Sequence, residues 1–424
     1  MNEALLQYIW KFQLFQLSGL TTTAGQSLEI MHPGLHNRNQ GPDFTEAMIR
    51  LDRTCWAGNI EVHICSSDFL KHGHAADSRY QRMILHVVWE EDQVLPDALG
   101  HPFPTLELRS RVPRTLLLRY RQMTENIHRV PCHRFLPAMD KLGWLAWKDR
   151  LAVERLERRA GAILQKLEET GCHWEELCWR LLVTSFGQTV NTSLFEQVAI
   201  TLPFRILTKH RHDRRQLEAL LLGQANLLQG RYRDTYIREL QETFRFYRKK
   251  YQLPLIQQAP AFLRMRPASF PTLRLAQLAT WVAEQPYFFA RILEEERVQT
   301  LLHCFRVKAG TYWETHYRPD EKVPGQARIL GTDMAASIVL NMVIPLLYSY
   351  GKYMRENTRK EKAIRWLSEL PAERNRITRY WQQQGVVSEK ATDSQALLEL
   401  TNYYCQQRRC LVCATGNKIL RMSV

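Results

Sequence analysis

Residues 41–63 read GPDFTEAMIRLDRTCWAGNIEVH, and this stretch determines the architecture of the N-terminal part of the chain. Its apolar residues over 43–51 and over 56–64 predict two strands, the second half-buried. A turn around residues 52–54 would make the two strands neighbours. Glu61 and His63 are two positions apart, and on a strand this spacing places both side chains on one face. Asp43 opens the first strand and would then lie close to them.

The flanking sequence adds the other elements of a small α/β unit. Residues 3–17 carry apolar side chains at helical spacing, and residues 27–31 form a short strand candidate. Residues 83–89 (MILHVVW) are the most apolar strand candidate, with the branched and long aliphatic side chains typical of a central strand. The predicted order is a helix, three strands, a short helix and a fourth strand, forming a mixed sheet within residues 1–130.

The apolar period changes to that of helices from about residue 141. Residues 144–168 predict a long amphipathic helix, and further helical patterns include 285–302 and 335–350. The sequence therefore predicts an α+β protein. Its α/β unit is followed by a mostly α-helical region over residues 131–404, and then by a cysteine-rich tail over residues 405–424 that packs back on the body.

Two carboxylates on neighbouring strands can hold Mg²⁺ or Mn²⁺, because these hard cations prefer oxygen ligands. Such a metal activates water and stabilises the charge of a phosphoryl transition state. Asp43 and Glu61 are the predicted ligands, and Glu29 on the first strand is a candidate outer ligand.

Histidines collect just downstream of these carboxylates. The secondary candidates are His72, His74, Asp77, Tyr80 and His86. With Asp43, Glu61 and His63, His86 could complete a mixed site that favours Zn²⁺, Mn²⁺ or Fe²⁺ over Mg²⁺. The alternative for His86, taken alone, is a hydrogen-bonded core histidine, and this alternative is favoured. For His72 and His74 the alternative is a hydrogen-bonded loop.

The order and spacing of these residues resemble the PD-(D/E)xK nuclease superfamily. Pro42-Asp43 and Glu61-Val62-His63 match its two short motifs. The resemblance implies that Asp43 and Glu61 bind a divalent metal in a nuclease-like core. His63 stands where the superfamily carries a lysine, so it would orient or deprotonate water, or else mark an altered or inactive site.

Longer blocks of the chain also look like one uncharacterised bacterial family, a domain of unknown function. The blocks that carry this resemblance are Gly-Pro-Asp-Phe, Glu-Val-His, Ser-Asp, His-Gly-His and Leu-His-Val-Val. The resemblance runs the full chain, through Arg266-Pro267, Phe270-Pro271, residues 313–317 and the cysteine-rich end, but it implies no established activity.

Three cysteines near the C-terminus, Cys405, Cys410 and Cys413, form a C-x4-C-x2-C pattern. A closed tetrahedral site needs a fourth ligand, and Cys132 is the best distant candidate, with Cys304 and His303 as alternatives. One upstream and three C-terminal cysteines resemble the iron–sulfur staple of helicase-linked exonucleases in the same superfamily. Zinc and an iron–sulfur cluster both remain open, as do reduced, partly buried thiols without a metal.

The formal net charge of +15 and the isoelectric point of about 9.5 favour a polyanionic partner, nucleic acid above all. The densest basic run supplies the predicted phosphate contacts, Lys209, Arg211, Arg214 and Arg215. The longest apolar stretch, 338–348, is too short to span a bilayer, and the N-terminus does not resemble a signal peptide. Nine cysteines without a secretion signal predict reduced thiols or a metal site in a cytoplasmic protein that does not bind membranes.

Three functions are compatible with these patterns. The leading hypothesis is a metal-dependent phosphodiesterase acting on DNA or RNA. The second is a non-catalytic nucleic-acid-binding or assembly protein that keeps a decayed nuclease core, which the missing lysine motivates. The third, a metallohydrolase of small substrates using the histidines, is disfavoured by the large positive charge.

Overall fold

The computed structural model describes residues 1–37, 39–72, 77–97, 99–263 and 265–422, apart from the side chains of Ser78 and Ala138. It divides into two compact units. The first unit comprises Met1–Trp147 and Leu400–Val424, and the second comprises Lys148–Glu399. The predicted α+β class is confirmed, because a mixed sheet in the N-terminal part is followed by many helices.

Six strands build the sheet of the first unit. They are β1 (Leu28–His32), β2 (Leu35–His36), β3 (Phe44–Leu51), β4 (Thr54–Cys65), β5 (Met83–Glu90) and β6 (Thr105–Glu107). Their order is β1-β3-β4-β5-β6, with β2 also paired to β3. The β1, β3 and β4 strands are antiparallel, whereas β4, β5 and β6 run parallel. The sheet is therefore mixed, as the sequence predicts.

Local chemistry explains how β3, β4 and β5 pair. Asp52 takes a left-handed φ of +49° in the two-residue turn after β3, a conformation that aspartate tolerates. A Cβ atom at Gly58 would lie 2.4 Å from the carbonyl oxygen of Arg82, so only glycine allows β4 to approach the start of β5. Residues 84–88 of β5 are all buried, as expected for a strand with a parallel neighbour on each side.

Helix α1 (Glu3–Lys11) packs on β4 and buries Leu5, Leu6, Ile9 and Trp10. The Oδ1 atom of Asn2 accepts the backbone N–H of Leu5 at 2.9 Å and so caps the helix. The predicted helix over residues 3–17 is too long. After Lys11 the chain turns through Gln13, at a φ of +50°, and Phe15 stacks on Trp10 at 5.9 Å.

The remaining elements of the first unit are helices and helical turns, two of them between β4 and β5 and the others after the sheet. They are α2 (Asp68–Lys71), α3 (Arg114–Thr124), two 3-10 turns (Ser78–Tyr80 and His133–Ala138), the start of α4 (Lys141–Glu169), a π-helical turn (Leu400–Cys405), a 3-10 turn (Cys410–Val412) and α18 (Ala414–Arg421). The last helix packs on α3 and on the 133–138 turn. Tyr8 donates its hydroxyl to Asn417 at 2.9 Å, so the C-terminal segment also contacts α1.

The second unit is mostly helical. After the rest of α4 it contains α5 (Trp174–Phe186), α6 (Thr192–Thr201), α7 (Phe204–Lys209), α8 (Arg214–Gln224), α9 (Thr235–Tyr251), α10 (Pro271–Glu284), α11 (Phe288–Glu294), α12 (Val298–His303), α13 (Thr332–Ile338), α14 (Ile344–Tyr353), α15 (Asn357–Glu369), α16 (Arg376–Gln383) and α17 (Ala391–Glu399), with a small hairpin of β7 (His316–Arg318) and β8 (Glu321–Lys322). Short 3-10 turns cover Pro267–Ser269 and Thr311–Glu314, and a π-helical segment, Val339–Val343, joins α13 to α14.

The helix predicted over residues 285–302 is two helices. Glu295 is extended between α11 and α12, and its Oε1 atom accepts the backbone N–H groups of Glu296 and Arg297, each at 3.0 Å. The side chain thereby satisfies donors that a continuous helix would use internally.

One helical stretch among the described residues, Thr332–Tyr353, is long and apolar enough to cross a membrane, with a mean hydropathy of 1.5. It is longer than the apolar run read from the sequence because α13 and α14 continue into each other. Of its most apolar window, 78% is buried within the structure. A core helix of a globular unit has the same properties.

Candidate functional site

The two predicted metal ligands are locked together where β3 begins beside β4. The backbone N–H of Asp43 donates to Oε2 of Glu61 at 3.0 Å, and the backbone N–H of Val62 donates to Oδ2 of Asp43 at 3.2 Å. Helix α1 adds a third bond, from the amide of Gln7 to Oδ1 of Asp43 at 2.8 Å. The structure therefore brings Asp43 and Glu61 side by side, as their spacing predicts.

Burial makes both carboxyl groups of this pair weaker acids than usual. Burial and then the negative charge of Asp43 raise the pKa of Glu61 to about 8. Burial also raises the pKa of Asp43 to about 6, against the hydrogen bond from Gln7. Near neutral pH the pair therefore retains a proton unless a cation binds beside it.

Glu3 is a third carboxylate of this group, and the sequence reading missed it. Its charge contributes to the raised pKa of both Asp43 and Glu61, and burial raises the pKa of Glu3 itself. Glu3 lies in the first turn of α1, where an acidic residue is explained by the helix dipole alone. Only the packing of α1 on β4 shows that it joins the site.

A buried chain of polar groups leads from Glu61 to two histidines. His63 Nε2 lies 3.7 Å from Glu61 Oε1, and His63 Nδ1 lies 2.9 Å from His86 Nε2. The parallel pairing of β4 and β5 sets Glu61 opposite His86, and His63 and His86 are 1% and 0% exposed. In the histidine contact one ring donates and the other accepts, so the pair can carry a proton from one ring to the other.

His72 and Tyr80 border this group. His72 directly follows α2 and is exposed, and its ring centroid lies 5.2 Å from that of His63. Burial, followed by the charges of Glu61 and Asp43, raises the pKa of Tyr80 to about 12. The ring of Phe69 contacts both Tyr80 and His86. Its centroid lies 6.1 Å from that of Tyr80 and 5.6 Å from that of His86.

Three further residues, Asp77, Glu29 and His74, were predicted for the site. Asp77 pairs with Arg79 and accepts its backbone N–H at 3.0 Å, while its charge also acts on Tyr80. Glu29 does not join the site, because the register of β1 and β3 sets it opposite Arg50, to which it is bonded at 2.5 Å. His74 lies outside the described residues.

No group of three or more His, Cys, Asp or Glu side chains in the described ranges is arranged to hold a single metal ion. The carboxylate oxygens of Asp43 and Glu61 are nevertheless the donor type that Mg²⁺ and Mn²⁺ prefer. Mg²⁺ in particular is commonly held by one or two carboxylates, with water and substrate phosphate as its other ligands. The donor set therefore fits a hard cation that completes its shell from solvent and substrate.

The four predicted cysteine ligands form a second group in the first unit. Cys132, Cys405, Cys410 and Cys413 are all buried, at 6–7% exposed. The pKa of Cys132 is raised by burial and then by the charges of Cys413 and Cys410, and that of Cys405 by burial and then by the other three thiols. The four side chains thus lie near one another. The alternative ligands, Cys304 and His303, belong to the second unit, where the Cys304 thiol donates to the carbonyl of Thr300.

The predicted phosphate contacts lie in the second unit. Lys209 ends α7, Arg211 follows it, and Arg214 and Arg215 open α8. Arg211 lines a cavity of about 570 Å³. Other charged and aromatic residues that line this cavity are His173, Glu175, Glu176, Arg180, Phe204, Arg205 and Tyr287. Arginine and aromatic side chains together are suited to an anionic or planar ligand.

Comparison with known proteins identifies a family but no activity. No curated protein and no solved structure matches the chain. One family model, described as a protein of unknown function (DUF2851), matches residues 3–376. The match includes the carboxylates, the histidines and Cys132, and it ends before the three C-terminal cysteines. The chain therefore belongs to the DUF2851 family of proteins of unknown function.

Proposed function

We propose that this protein is a metal-dependent nuclease that hydrolyses phosphodiester bonds of DNA or RNA at the Asp43/Glu61 pair. The observation that carries the proposal is that each carboxylate accepts a backbone N–H from the segment that carries the other, Glu61 from Asp43 and Asp43 from Val62. These bonds fix hard oxygen donors side by side, with Glu61 buried and Asp43 half-buried. Their raised pKa values fit a site whose negative charge is compensated by a bound cation.

The topology of the sheet supports the same function. Helix α1, the antiparallel strands β1, β3 and β4, the short helix α2 and the parallel strand β5 follow one another in the order that the nuclease resemblance implies. Asp43 at the start of one strand and Glu61 on the next would correspond to its two acidic positions. A fold alone does not establish an activity, so the proposal depends on the residues of the site.

Asp43 and Glu61 would hold the divalent ion, and Glu3 would add negative charge beside them. A bound Mg²⁺ or Mn²⁺ supplies charge stabilisation for the phosphoryl transition state and a more acidic water. Gln7 fixes the orientation of Asp43 through the bond to Oδ1. Tyr80 remains protonated at any working pH, so its hydroxyl can donate to a phosphate oxygen.

His63 would perform the work of the superfamily's lysine by a different route. Its Nε2 atom faces Glu61 and can take a proton from the attacking water, whose oxygen then bonds to phosphorus as the P–O bond to the leaving group breaks. If Nδ1 carries the other proton, that proton can pass across the 2.9 Å contact to Nε2 of His86. The single positive charge that forms on His63 is thereby passed to His86, and the His63 ring is neutral again.

The partner and the location follow from the same proposal. A net charge of +15 favours binding to a polyanion, and the basic residues of the second unit would contact the backbone phosphates. All nine cysteines are described, and none forms a disulfide. Free thiols are typical of a reducing compartment, so we place the protein in the cytoplasm.

The test is cleavage of labelled single- and double-stranded DNA and RNA in the presence of Mg²⁺, Mn²⁺ or chelator. We expect cleavage only with a divalent ion, and a loss on the order of a thousandfold in Asp43→Asn and in Glu61→Gln. Glu29→Gln is the matched control, because Glu29 is an acidic strand residue opposite Arg50 and away from the pair. This variant should cleave like the unmodified protein.

One outcome would favour the non-catalytic alternative. If the protein binds nucleic acid, yet cuts none of the four substrates with either ion, the nuclease proposal fails. Equal cleavage by the unmodified protein and by Asp43→Asn would also overturn the assignment of the site.

A further inference from the structure

Three arginines of the second unit, Arg274, Arg318 and Arg328, form an arginine cluster beside the N-terminus of α10. Arg274 lies near the start of α10, Arg318 ends β7, and Arg328 follows the β7–β8 hairpin. Hydrogen bonds connect two of these segments through one amide. Nη1 of Arg274 donates to Oε1 of Gln277 at 3.0 Å, and Nε2 of Gln277 donates to the carbonyl oxygen of Arg328 at 3.1 Å.

Aromatic rings support two of the three cations and connect Arg318 to the others. The guanidinium carbon of Arg328 lies 4.2 Å from the ring centroid of Tyr317. That of Arg318 lies 4.3 Å from the centroid of Phe262 and 5.0 Å from that of Phe270. The rings of Phe270 and Tyr317 are themselves 6.3 Å apart. Contact with a ring uses the charge of a guanidinium group but not its N–H donors, which stay available for an oxygen ligand.

Each of the three guanidinium groups has a buried donor that no acceptor satisfies. The Nε atoms of Arg274, Arg318 and Arg328 are shielded from solvent and have no hydrogen-bond partner. Among the arginines that the structure describes, buried nitrogens of this kind occur at these three positions only. Unsatisfied buried donors are destabilising and uncommon in folded proteins. Three of them in one cluster therefore favour a site for an acceptor.

The charges of the cluster favour an acceptor that is an anion. Arg274 and Arg328 are only 6% and 8% exposed, and the acceptors of their hydrogen bonds are uncharged. Those of Arg328 are Oε1 of Gln326 at 3.1 Å and the carbonyl oxygen of Pro324 at 3.2 Å. Burial alone lowers the pKa of Arg274 to about 10, so this side chain keeps its charge near neutral pH. A buried cation without a countercharge is destabilising, and a bound anion would remove that penalty.

We propose that the arginine cluster binds a terminal phosphate group, either of a free nucleotide or of the end of a nucleic-acid strand. A terminal phosphate carries nearly two negative charges and three acceptor oxygens, so it can meet several guanidinium groups at once. An internal phosphodiester has one charge and two unshared oxygens, and a carboxylate has the same, so both would satisfy fewer of these donors.

The N-terminus of α10 adds to the attraction. The helix is 14 residues long, and no side chain caps its first turn. Thr272, in that turn, instead donates its hydroxyl to the carbonyl oxygen of Tyr317, next to Arg318. The residue before the helix, Phe270, is one of the rings beneath Arg318. The positive end of the helix dipole therefore lies beside the cluster and favours the same anion.

This site is separate from the proposed nuclease chemistry. Its residues lie between positions 262 and 328, within the second unit, and it shares none with the carboxylate pair. Binding of a phosphate group can be measured in chelator, where the proposed nuclease would be inactive. The two proposals can therefore fail separately.

The test is isothermal titration calorimetry of the full chain in chelator. The ligands are adenosine monophosphate, adenosine, and one short DNA strand with a phosphate at its 5′ end, at its 3′ end or at neither. We expect a phosphorylated ligand to bind more tightly than its unphosphorylated counterpart by about ten- to a hundredfold. Binding of adenosine monophosphate would assign the site to a free nucleotide. A preference for a phosphorylated strand, without binding of the mononucleotide, would assign it to a strand end.

Variants locate the binding at the cluster. Arg274→Gln and Arg318→Gln should each remove most of the preference for the phosphorylated ligand. Arg318 is half-buried and only 3.6 Å from the exposed Glu321, so its replacement decides the matter if Arg274→Gln folds poorly. The matched control is Arg365→Gln, at an arginine of the same unit that already pairs with Glu296 at 2.7 Å, and it should keep the preference. Equal binding of phosphorylated and unphosphorylated ligands by the unmodified protein would overturn the proposal, as would an unchanged preference in Arg318→Gln.

Discussion

Glu61 couples the stability of the metal-free protein to pH. Its pKa is about 8 in the folded chain against an ordinary value of 4.5, so between these values the folded state holds a proton that the unfolded state has released. The resulting stabilisation is complete below about pH 4.5 and is lost as the pH rises through about 8. Asp43 acts in the same direction between 3.8 and about 6.

We therefore expect the metal-free protein to lose stability between pH 5 and 9, and Glu61→Gln to lose less. The glutamine can still accept the N–H of Asp43, but it carries no buried charge, so at pH 9 it should be more stable by on the order of a few kcal/mol. Thermal unfolding in chelator across this range measures the difference. Mg²⁺ or Mn²⁺ should restore the unmodified protein at pH 9 and leave Glu61→Gln unchanged. Parallel curves for the two proteins would contradict the assignment.

His63 is the residue at which this chain departs from the nuclease pattern, and lysine and alanine replacements separate its roles. If it receives the proton of water, His63→Ala should lower kcat by about 10² to 10⁴ with little change in KM. His63→Lys places a cation beside Glu61, as in the superfamily, and should retain more activity than the alanine variant. A kcat for His63→Ala equal to that of the unmodified protein would show that His63 only fills space.

The pH–rate profile provides the second readout for His63. A lysine that pairs with Glu61 would lower the pKa of that carboxyl group, so the acidic limb of the profile should move to lower pH in His63→Lys. If the introduced lysine does not pair with Glu61, this limb should stay where it lies in the unmodified protein.

Individual strands could be predicted because buried and exposed side chains alternate along a strand, and this alternation is visible in the sequence. The 43–51 and 56–64 strands and the apolar 83–89 strand fall within β3, β4 and β5, give or take a residue or two at their ends. The positions of Asp43, Glu61 and His63 followed from that period alone. Helix ends were less predictable, because α1 stops where Phe15 folds back onto Trp10, a tertiary contact that no local pattern contains.

Contacts between elements account for what the sequence did not reveal. Glu3 belongs to the carboxylate group only because α1 packs on β4. Glu29 lies outside this group because the register of β1 places it opposite Arg50, with which it forms an ion pair. The cysteine spacing predicts four metal ligands, and this stays a prediction. Arg408 donates to the backbone carbonyls of Asn126 and His128, and its own backbone has a left-handed φ. The spacing of the cysteines cannot indicate either feature.

The net charge of +15 belongs to the molecule as a whole, but its basic residues are not equivalent. In the second unit, Arg214 lies 3.9 Å from Glu218 and Arg215 lies 3.4 Å from Glu239, so each has an acidic partner. Lys209 and Arg211 instead lie over aromatic rings, 5.9 Å from the centroid of Tyr251 and 5.8 Å from that of Tyr287. A cation over a ring keeps its charge available to a phosphate, whereas a paired cation must first give up its partner.

This difference predicts how salt weakens binding to duplex DNA. Each phosphate contact contributes about −0.9 to the slope of log affinity against log salt concentration, through release of counterions. Replacing Lys209 and Arg211 together by alanine should make the slope shallower by up to about 1.8, while Arg215→Ala, at an already paired cation, should change it by much less. Fluorescence anisotropy with one duplex between low and physiological salt measures these slopes. An unchanged slope in the double variant would show that the charge attracting nucleic acid lies elsewhere on the molecule.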